Sequence, residues 1–263
     1  MGNSHKRVKL EMQINLRYWF VSVIAIGALL IGGCTTPQAT SSQASPTSPA
    51  NEATAVVTTQ ASNPVFANLP RLEGKATVVM TVKGSPITIE VDGTDAPITA
   101  GNFVDLVQQG VYDGLVFHRV IREPQPFVVQ GGDPQGKDPN FPVGDLGTGS
   151  FIDSTGQPRY IPLEIKPQGA ETPVYSKTLK TAGVSQAPVL QHKRGAVAMA
   201  RSQFPDSASA QFYFALADLP FLDGDYAVFG NVTQGMDVVD KIQQGDRIES
   251  AKVTSGADNL KKS

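Results

Sequence analysis

Cysteine occurs once in the 263 residues, as Cys34, so an internal disulfide framework is excluded. Basic charge is scarce as well: 22 Lys and Arg stand against 24 Asp and Glu. No basic tract lies beyond the amino-terminal region, which argues against nucleic acid as a partner. The longest uncharged apolar run, Tyr18 to Gly33, is too short to span a bilayer comfortably, since a spanning helix needs about 20 residues. Internal repeats are absent, and the three histidines show no metal-ligand spacing. A disulfide scaffold, a nucleic-acid binder and a metal-dependent enzyme are therefore poor readings.

What is present begins with a leader. Lys6, Arg7, Lys9 and Arg17 precede the apolar run, which ends in small residues, IGGC, the pattern of a secretory signal. Met12 is an alternative start that keeps Arg17 and the apolar run. Leu30 followed by IGGC resembles the bacterial lipobox, which implies cleavage after residue 33 and lipidation of Cys34. More than one acyl chain would be needed there, because a single chain binds membranes only marginally. Residues 34–68 are rich in Ser, Thr, Ala, Gln and Pro, with Glu52 the one charge, and read as a flexible linker. Without residues 1–33 the 22 basic residues fall by four and the 24 acids by one, leaving 18 against 23, net −5. The expectation is an exported domain tethered by lipid to a bacterial membrane, facing the periplasm or an equivalent compartment.

Residues 69–263 carry mostly β patterning. ATVVMTV and PITIEV flank Lys83-Gly84-Ser85 and predict a hairpin. APITAGNFVDLVQQG predicts a helix, with Asp95 as N-cap, Pro97 in the first turn, Phe103, Leu106 and Val107 inward, and Gly110 as the left-handed stop. MDVVDKIQQG predicts a second helix, with Val238, Val239 and Ile242 inward and Gly245 ending it. VFHRV, FVVQG, YIPLEI, GAVAMA, QFYFAL, YAVFGNV and RIESAKV are short strand candidates. Many short strands and two helices without βαβ alternation indicate an antiparallel barrel or sandwich.

Side chains alternate faces along a strand. Arg119 should then share a face with Phe117, and His118 with Val120. Val128 and Gln130 share a face, as do Gln211 and Tyr213, while Phe212 and Phe214 take the other. Three strands thus offer an arginine and two glutamines beside apolar rings. His118 is expected to be buried and hydrogen-bonded rather than an acid–base catalyst. His192 reads as a loop or strand-edge residue, and Asp223 and Asp225 as turn residues beside Gly224.

FHRV, F-x-x-QGGDP, MAR…SASAQFYFAL and LDGDYAVFG, in this order, resemble the cyclophilin-type peptidyl-prolyl cis-trans isomerases from about Leu69 to Val253. The resemblance implies a mainly β fold: a closed eight-stranded antiparallel β-barrel capped by two α-helices. It also implies a catalytic set of Arg119, Phe127 and Gln130. Arg119 matches the catalytic arginine, Phe127 the floor of the proline pocket, and Gln130 the glutamine that helps hold arginine and substrate. Val128, Ala200, Gln211, Tyr213, Phe221, Leu222 and Tyr226 match substrate-binding positions. Val128 stands where methionine is usual, Tyr213 where phenylalanine is usual, Phe221 for a frequent tryptophan and Tyr226 for a frequent histidine. Proline-containing polypeptides are the implied partners of a monomer that needs no cofactor.

The chemistry suits those residues. Rotation about an X–Pro bond is resisted by roughly 18–20 kcal/mol of amide resonance. No bond breaks, so the enzyme need only bind the twisted amide better than either planar isomer. An arginine N–H aimed at the prolyl nitrogen engages the lone pair that twisting frees, and a guanidinium stays protonated with its donor fork rigid. Three departures from the family stand out. REPQP makes a longer turn, which would shift Phe127. Phe221 lacks the indole N–H, which weakens an otherwise expected cyclosporin binding. Gly136 to Lys193 is roughly thirty residues beyond a minimal member, a loop of a length that is functional or mobile. A non-catalytic, membrane-tethered module of the same fold that binds or chaperones proline-containing partners is the rival reading.

Overall fold

The computed structural model describes residues 66–262. The expected signal, the expected lipidation site Cys34 and nearly all of the expected linker lie outside the described residues. Among those described, no helix is long and apolar enough to cross a membrane.

Among the described residues, twelve strands and two α-helices follow one another. β1 (Arg71–Leu72), β2 (Lys75–Val82) and β3 (Ser85–Asp92) precede α1 (Pro97–Gln108). Next come β4 (Arg119–Val120), β5 (Val128–Gly131), β6 (Glu164–Ile165), β7 (Val174–Tyr175), β8 (Ala196–Met199) and β9 (Phe212–Ala215). β10 (Val228–Gln234), α2 (Met236–Val239), β11 (Ile248–Ser255) and β12 (Leu260–Lys261) are the last of the described elements. Eight strands form one antiparallel sheet in the order β11-β2-β3-β10-β8-β9-β5-β4. β1 pairs with β12, and β6 with β7.

The sheet curls but does not close, which corrects the expected closed barrel. No ladder joins its two ends, β4 and β11. The chain before β4 is irregular, and it meets the start of β11 through a single bridge, Val116 with Arg247. Individual backbone bonds complete that contact, including Phe117 N–H to the Asp246 carbonyl at 2.8 Å and Ile248 N–H to that of Leu115 at 2.8 Å.

The expected hairpin forms, with a two-residue loop. Lys83 and Gly84 both take positive φ, 50° and 69°, the backbone a twisted two-residue hairpin requires. Ala76, Val78, Met80 and Val82 of β2 alternate inward and meet Ile87, Ile89 and Val91 of β3. α1 covers this concave face with Phe103, Val104, Leu106 and Val107. Phe103 contacts Tyr112, Phe212 and Phe229 at centroid distances of 5.1, 5.5 and 4.9 Å, which joins the helix to β9 and β10.

The ends of the helices differ from the sequence expectation in instructive ways. At the carboxyl end of α1, Gly110 N–H bonds the Val107 carbonyl and Val111 N–H that of Leu106, a Schellman closure around a left-handed glycine. At the amino end Asp95 is not the cap: the N-cap is Ala96, with no side-chain bond, and Asp95 pairs with Lys166 at 2.9 Å. The free N–H groups of Ile98 and Thr99 donate instead to Glu164, at 3.1 and 2.7 Å. Glu164 is 1% exposed and comes from β6, inside the long region after Gly136. Burial pushes its carboxyl pKa up, while the Thr99 N–H opposes that shift. The long region is therefore ordered around a job: it delivers a helix cap, and Leu163, Ile165 and Leu179 pack with Ala227 in a small core of their own. Glu164→Gln should destabilise the domain by about 1–3 kcal/mol in urea unfolding, because one of the two buried N–H groups loses its acceptor.

α2 stops at Val239, short of the expected Gly245. Ile242 is buried as expected, but in turns rather than helix. Arg122 reaches across and donates from Nη2 to the carbonyls of Val239, Asp240 and Ile242, at 3.3, 2.8 and 2.8 Å. Those acceptors would otherwise serve a longer helix.

Candidate active site

β4, β5 and β9 lie side by side, with Arg119 opposite Gln130 and Gln130 opposite Tyr213. This register places the three polar or aromatic side chains in one row on the outer face of the sheet. The alternation holds on β5 and β9: Val129, Phe212 and Phe214 enter the main core, while Val128 and Tyr213 join a separate outer cluster. It fails ahead of β4. Phe117 is in the core and Arg119 is exposed, because Phe117 lies outside β4 and its backbone bonds residues 245 and 246 rather than the β5 ladder. Val120, not Arg119, packs with Phe117 against the core.

Arg119 Nη1 donates to Gln130 Oε1 at 3.2 Å, and its guanidinium carbon lies 5.6 Å from the Phe127 ring centre. Gln130 Nε2 donates to Gln211 Oε1 at 3.2 Å, and Gln211 Nε2 to the Gly149 carbonyl at 2.9 Å. The arginine is thus the exposed end of a chain of amides that begins in a loop. A pocket of about 170 Å³ opens beside it, lined by Phe127, Val128, Gln130, Ala200, Tyr213, Leu222 and Tyr226, together with Arg119 and Arg201. Despite its length, the REPQP turn closes: Phe127 N–H bonds the Ile121 carbonyl at 3.0 Å and Ile121 N–H that of Val128 at 2.9 Å, so Phe127 stays beside Arg119.

Phe221 is not part of the pocket wall. It is 67% exposed and stacks on Phe127, with centroids 6.0 Å apart and planes 19° from parallel. Gln211 lines a second, larger cavity of about 640 Å³ that adjoins the first through Gln130, Ala200 and Arg201. Arg201, which ends the MAR motif, is a further residue of this site that strand patterning does not mark. Its Nε and Nη2 donate to the Asp225 carbonyl at 3.0 and 2.7 Å, and its guanidinium lies 4.7 Å from the Tyr226 ring centre. Among the described residues, no three His, Cys, Asp or Glu side chains gather to hold a metal ion.

The two histidines depart from expectation in opposite directions. His118 is buried, but neither ring nitrogen makes a hydrogen bond of normal geometry, against the expected bonded role. Burial pushes its pKa below 6.5, opposed by the Asp133 charge. His192 does lie in a loop, yet it is 1% exposed and bonded on both ring nitrogens. Asp223 lies in the turn expected of it, and also accepts from that histidine.

A curled antiparallel sheet with a helix on its concave face, and an arginine poised at an apolar pocket on the outer face, define a cyclophilin-like protein. The family model for the cyclophilin type peptidyl-prolyl cis-trans isomerase matches residues 77–261, and the chain belongs to that family. A Synechocystis protein named for peptidyl-prolyl isomerisation in the thylakoid lumen is 46% identical over 206 residues, covering 74% of this chain and 51% of that one. A chloroplastic peptidyl-prolyl cis-trans isomerase of Arabidopsis thaliana is 41% identical, covering 74% of this chain and 46% of its own length. The chain thus spans about half the length of these two relatives. A Helicobacter pylori peptidyl-prolyl cis-trans isomerase is 38% identical over 179 residues, covering 67% of this chain and 85% of that one. The fold is shared with a Cryptosporidium parvum cyclophilin solved in the presence of the dipeptide Ala-Pro, at a TM-score of 0.51 and 23% identity, over 68% of this chain and 99% of that one.

Proposed function

We propose that the chain catalyses cis–trans isomerisation of X–Pro peptide bonds in exported polypeptides. The observation that carries this reading is the Arg119 guanidinium at the rim of the 170 Å³ pocket, tied to Gln130 and lying against Phe127. The pocket walls grip the prolyl ring and exclude water. Arg119 donates to the prolyl nitrogen as the amide twists and its lone pair localises, an interaction that strengthens only in the transition state. Gln130 and Gln211 hold the guanidinium in place, so little reorganisation is needed when charge develops. Arg119, Phe127 and Gln130 are the catalytic set, and Val128, Ala200, Tyr213, Leu222 and Tyr226 hold the substrate. The presence of the dipeptide Ala-Pro with the Cryptosporidium cyclophilin supports a proline ligand for this pocket. A protease-coupled assay of a prolyl tetrapeptide with the purified full chain tests the activity. No acceleration over the uncatalysed rate would leave a binding module in its place.

The same reading places the domain outside the cytoplasm, held by lipid on Cys34, with residues 34–68 as the linker. The relatives named for the thylakoid lumen and the chloroplast support an extracytoplasmic site, and IGGC supports the anchor. Cys34→Ser should move the protein from the detergent phase to the aqueous phase of a detergent partition. A wild-type chain already in the aqueous phase would overturn the anchor.

A further inference from the structure

His192 sits behind the pocket and makes four hydrogen bonds to two different walls of it. Its backbone N–H and its Nδ1 both meet Asp223 Oδ1, each at 2.8 Å. Its carbonyl accepts from Leu219 N–H at 2.7 Å, and its Nε2 meets the Tyr213 hydroxyl at 2.9 Å. Leu219 and Asp223 bracket the turn that carries Phe221 and Leu222, while Tyr213 belongs to β9 and lines the same pocket as Leu222. The carboxylate accepts only, so Nδ1 carries the proton of a neutral imidazole, and Nε2 accepts from the Tyr213 hydroxyl. A phenylalanine at 213 would leave that buried nitrogen without a partner.

We propose that His192 is a positioning residue that sets the spacing of the proline pocket by tying Tyr213 on β9 to the Leu219–Asp223 turn. This rests on the pocket being the proline site of the proposed function. The groups that bear on the imidazole are few. Asp223 pairs with it directly, and Tyr226 and Arg201 act on it through the Tyr213 ring. Lys193 and Arg194, next along the chain, turn to Asp218 and Asp240 at the surface. Burial lowers the His192 pKa below 6.5 and the Asp223 contact opposes it, so the neutral form described above prevails at neutral pH. Protonation places a hydrogen on Nε2 and turns the Tyr213 hydroxyl from donor to acceptor, so the bond keeps its partners and reverses its direction.

The test follows the assigned His192 imidazole signals by NMR across pH, with the affinity of the full chain for an Ala-Ala-Pro-Phe tetrapeptide measured alongside. Tyr213→Phe removes the partner of Nε2, which a buried imidazolium N–H needs more than a neutral nitrogen does, so the titration midpoint should fall. Asp223→Asn removes the charge that stabilises imidazolium, so it should fall. Both variants keep the side-chain shape, and both should weaken tetrapeptide binding by about two- to tenfold, the range expected for one hydrogen bond. An unmoved midpoint in Tyr213→Phe, or wild-type affinity in both variants, overturns the proposal. A wild-type chain that binds the peptide without accelerating its isomerisation would sink the activity alone, and the two shifts would still decide the role of His192.

Discussion

Arg119→Ala should lower kcat/KM for a prolyl tetrapeptide by about 10²–10³, the loss typical of removing one preorganised donor, or about 2.7–4 kcal/mol. Arg119 is exposed and contributes nothing to the core, so the variant should keep its near-UV spectrum and its urea midpoint. Arg119→Lys keeps a positive charge but loses the planar fork that reaches both Gln130 and the prolyl nitrogen, and should fall between the two. Phe127→Ala should act mainly on KM, because the ring grips planar and twisted proline alike. Wild-type activity should be flat from roughly pH 6.5 to 9, since a guanidinium keeps its proton throughout. His118 and His192 are both held neutral by burial, with folded pKa values below 6.5. Their contribution to stability is complete above that value and is lost as pH falls below it, because the unfolded chain then binds the extra protons. A bell-shaped profile near neutrality that disappears in a His118 variant would overturn the arginine mechanism. So would a folded Arg119→Ala protein as fast as wild type.

The pocket was legible in the sequence wherever regular strand alternation governed it. On β5 and β9 the two-residue period separates Val128, Gln130, Gln211 and Tyr213 from the core side chains Val129, Phe212 and Phe214. The same rule misplaced Arg119 relative to Phe117, because β4 is only two residues long and the chain before it is held by bonds to residues 245 and 246. That irregular stretch also leaves the sheet open. What could not be read were contacts between segments far apart in sequence. Glu164 lies 65 positions from the Thr99 N–H it accepts. His192 lies 31 from Asp223 and 21 from Tyr213, and no local pattern marks it as buried. Asp95 had every local credential of a cap, but a tertiary carboxylate took the N–H groups first.

The second large effect is expected at Asp133, on the loop that follows β5. The side chain is 0% exposed, and it accepts from three backbone N–H groups: Gln135 at 2.9 Å, Gly147 at 2.6 Å and Gly149 at 2.9 Å. A Cβ on Gly149 would lie 2.0 Å from the Asp133 Oδ1, so the loop is closed onto this carboxylate with no room to spare. The Gly149 carbonyl in turn accepts from Gln211, which accepts from Gln130, which accepts from Arg119. Asp133→Ala leaves three part-buried amide hydrogen bonds without their acceptor and should destabilise the domain by about 1–3 kcal/mol. Asp133→Asn keeps one acceptor oxygen and should lose less. Both should also lower kcat/KM, measured where the variants remain folded, because Gln211 loses its anchor and the guanidinium its fixed direction. Asp133 does not line the proline pocket, so the activity loss must travel through the amides. Full activity in a folded but destabilised Asp133→Asn protein would show that Gln130 alone holds the arginine. A stability change within about 0.5 kcal/mol, the range of ordinary surface substitutions, would show that the loop closes without the carboxylate.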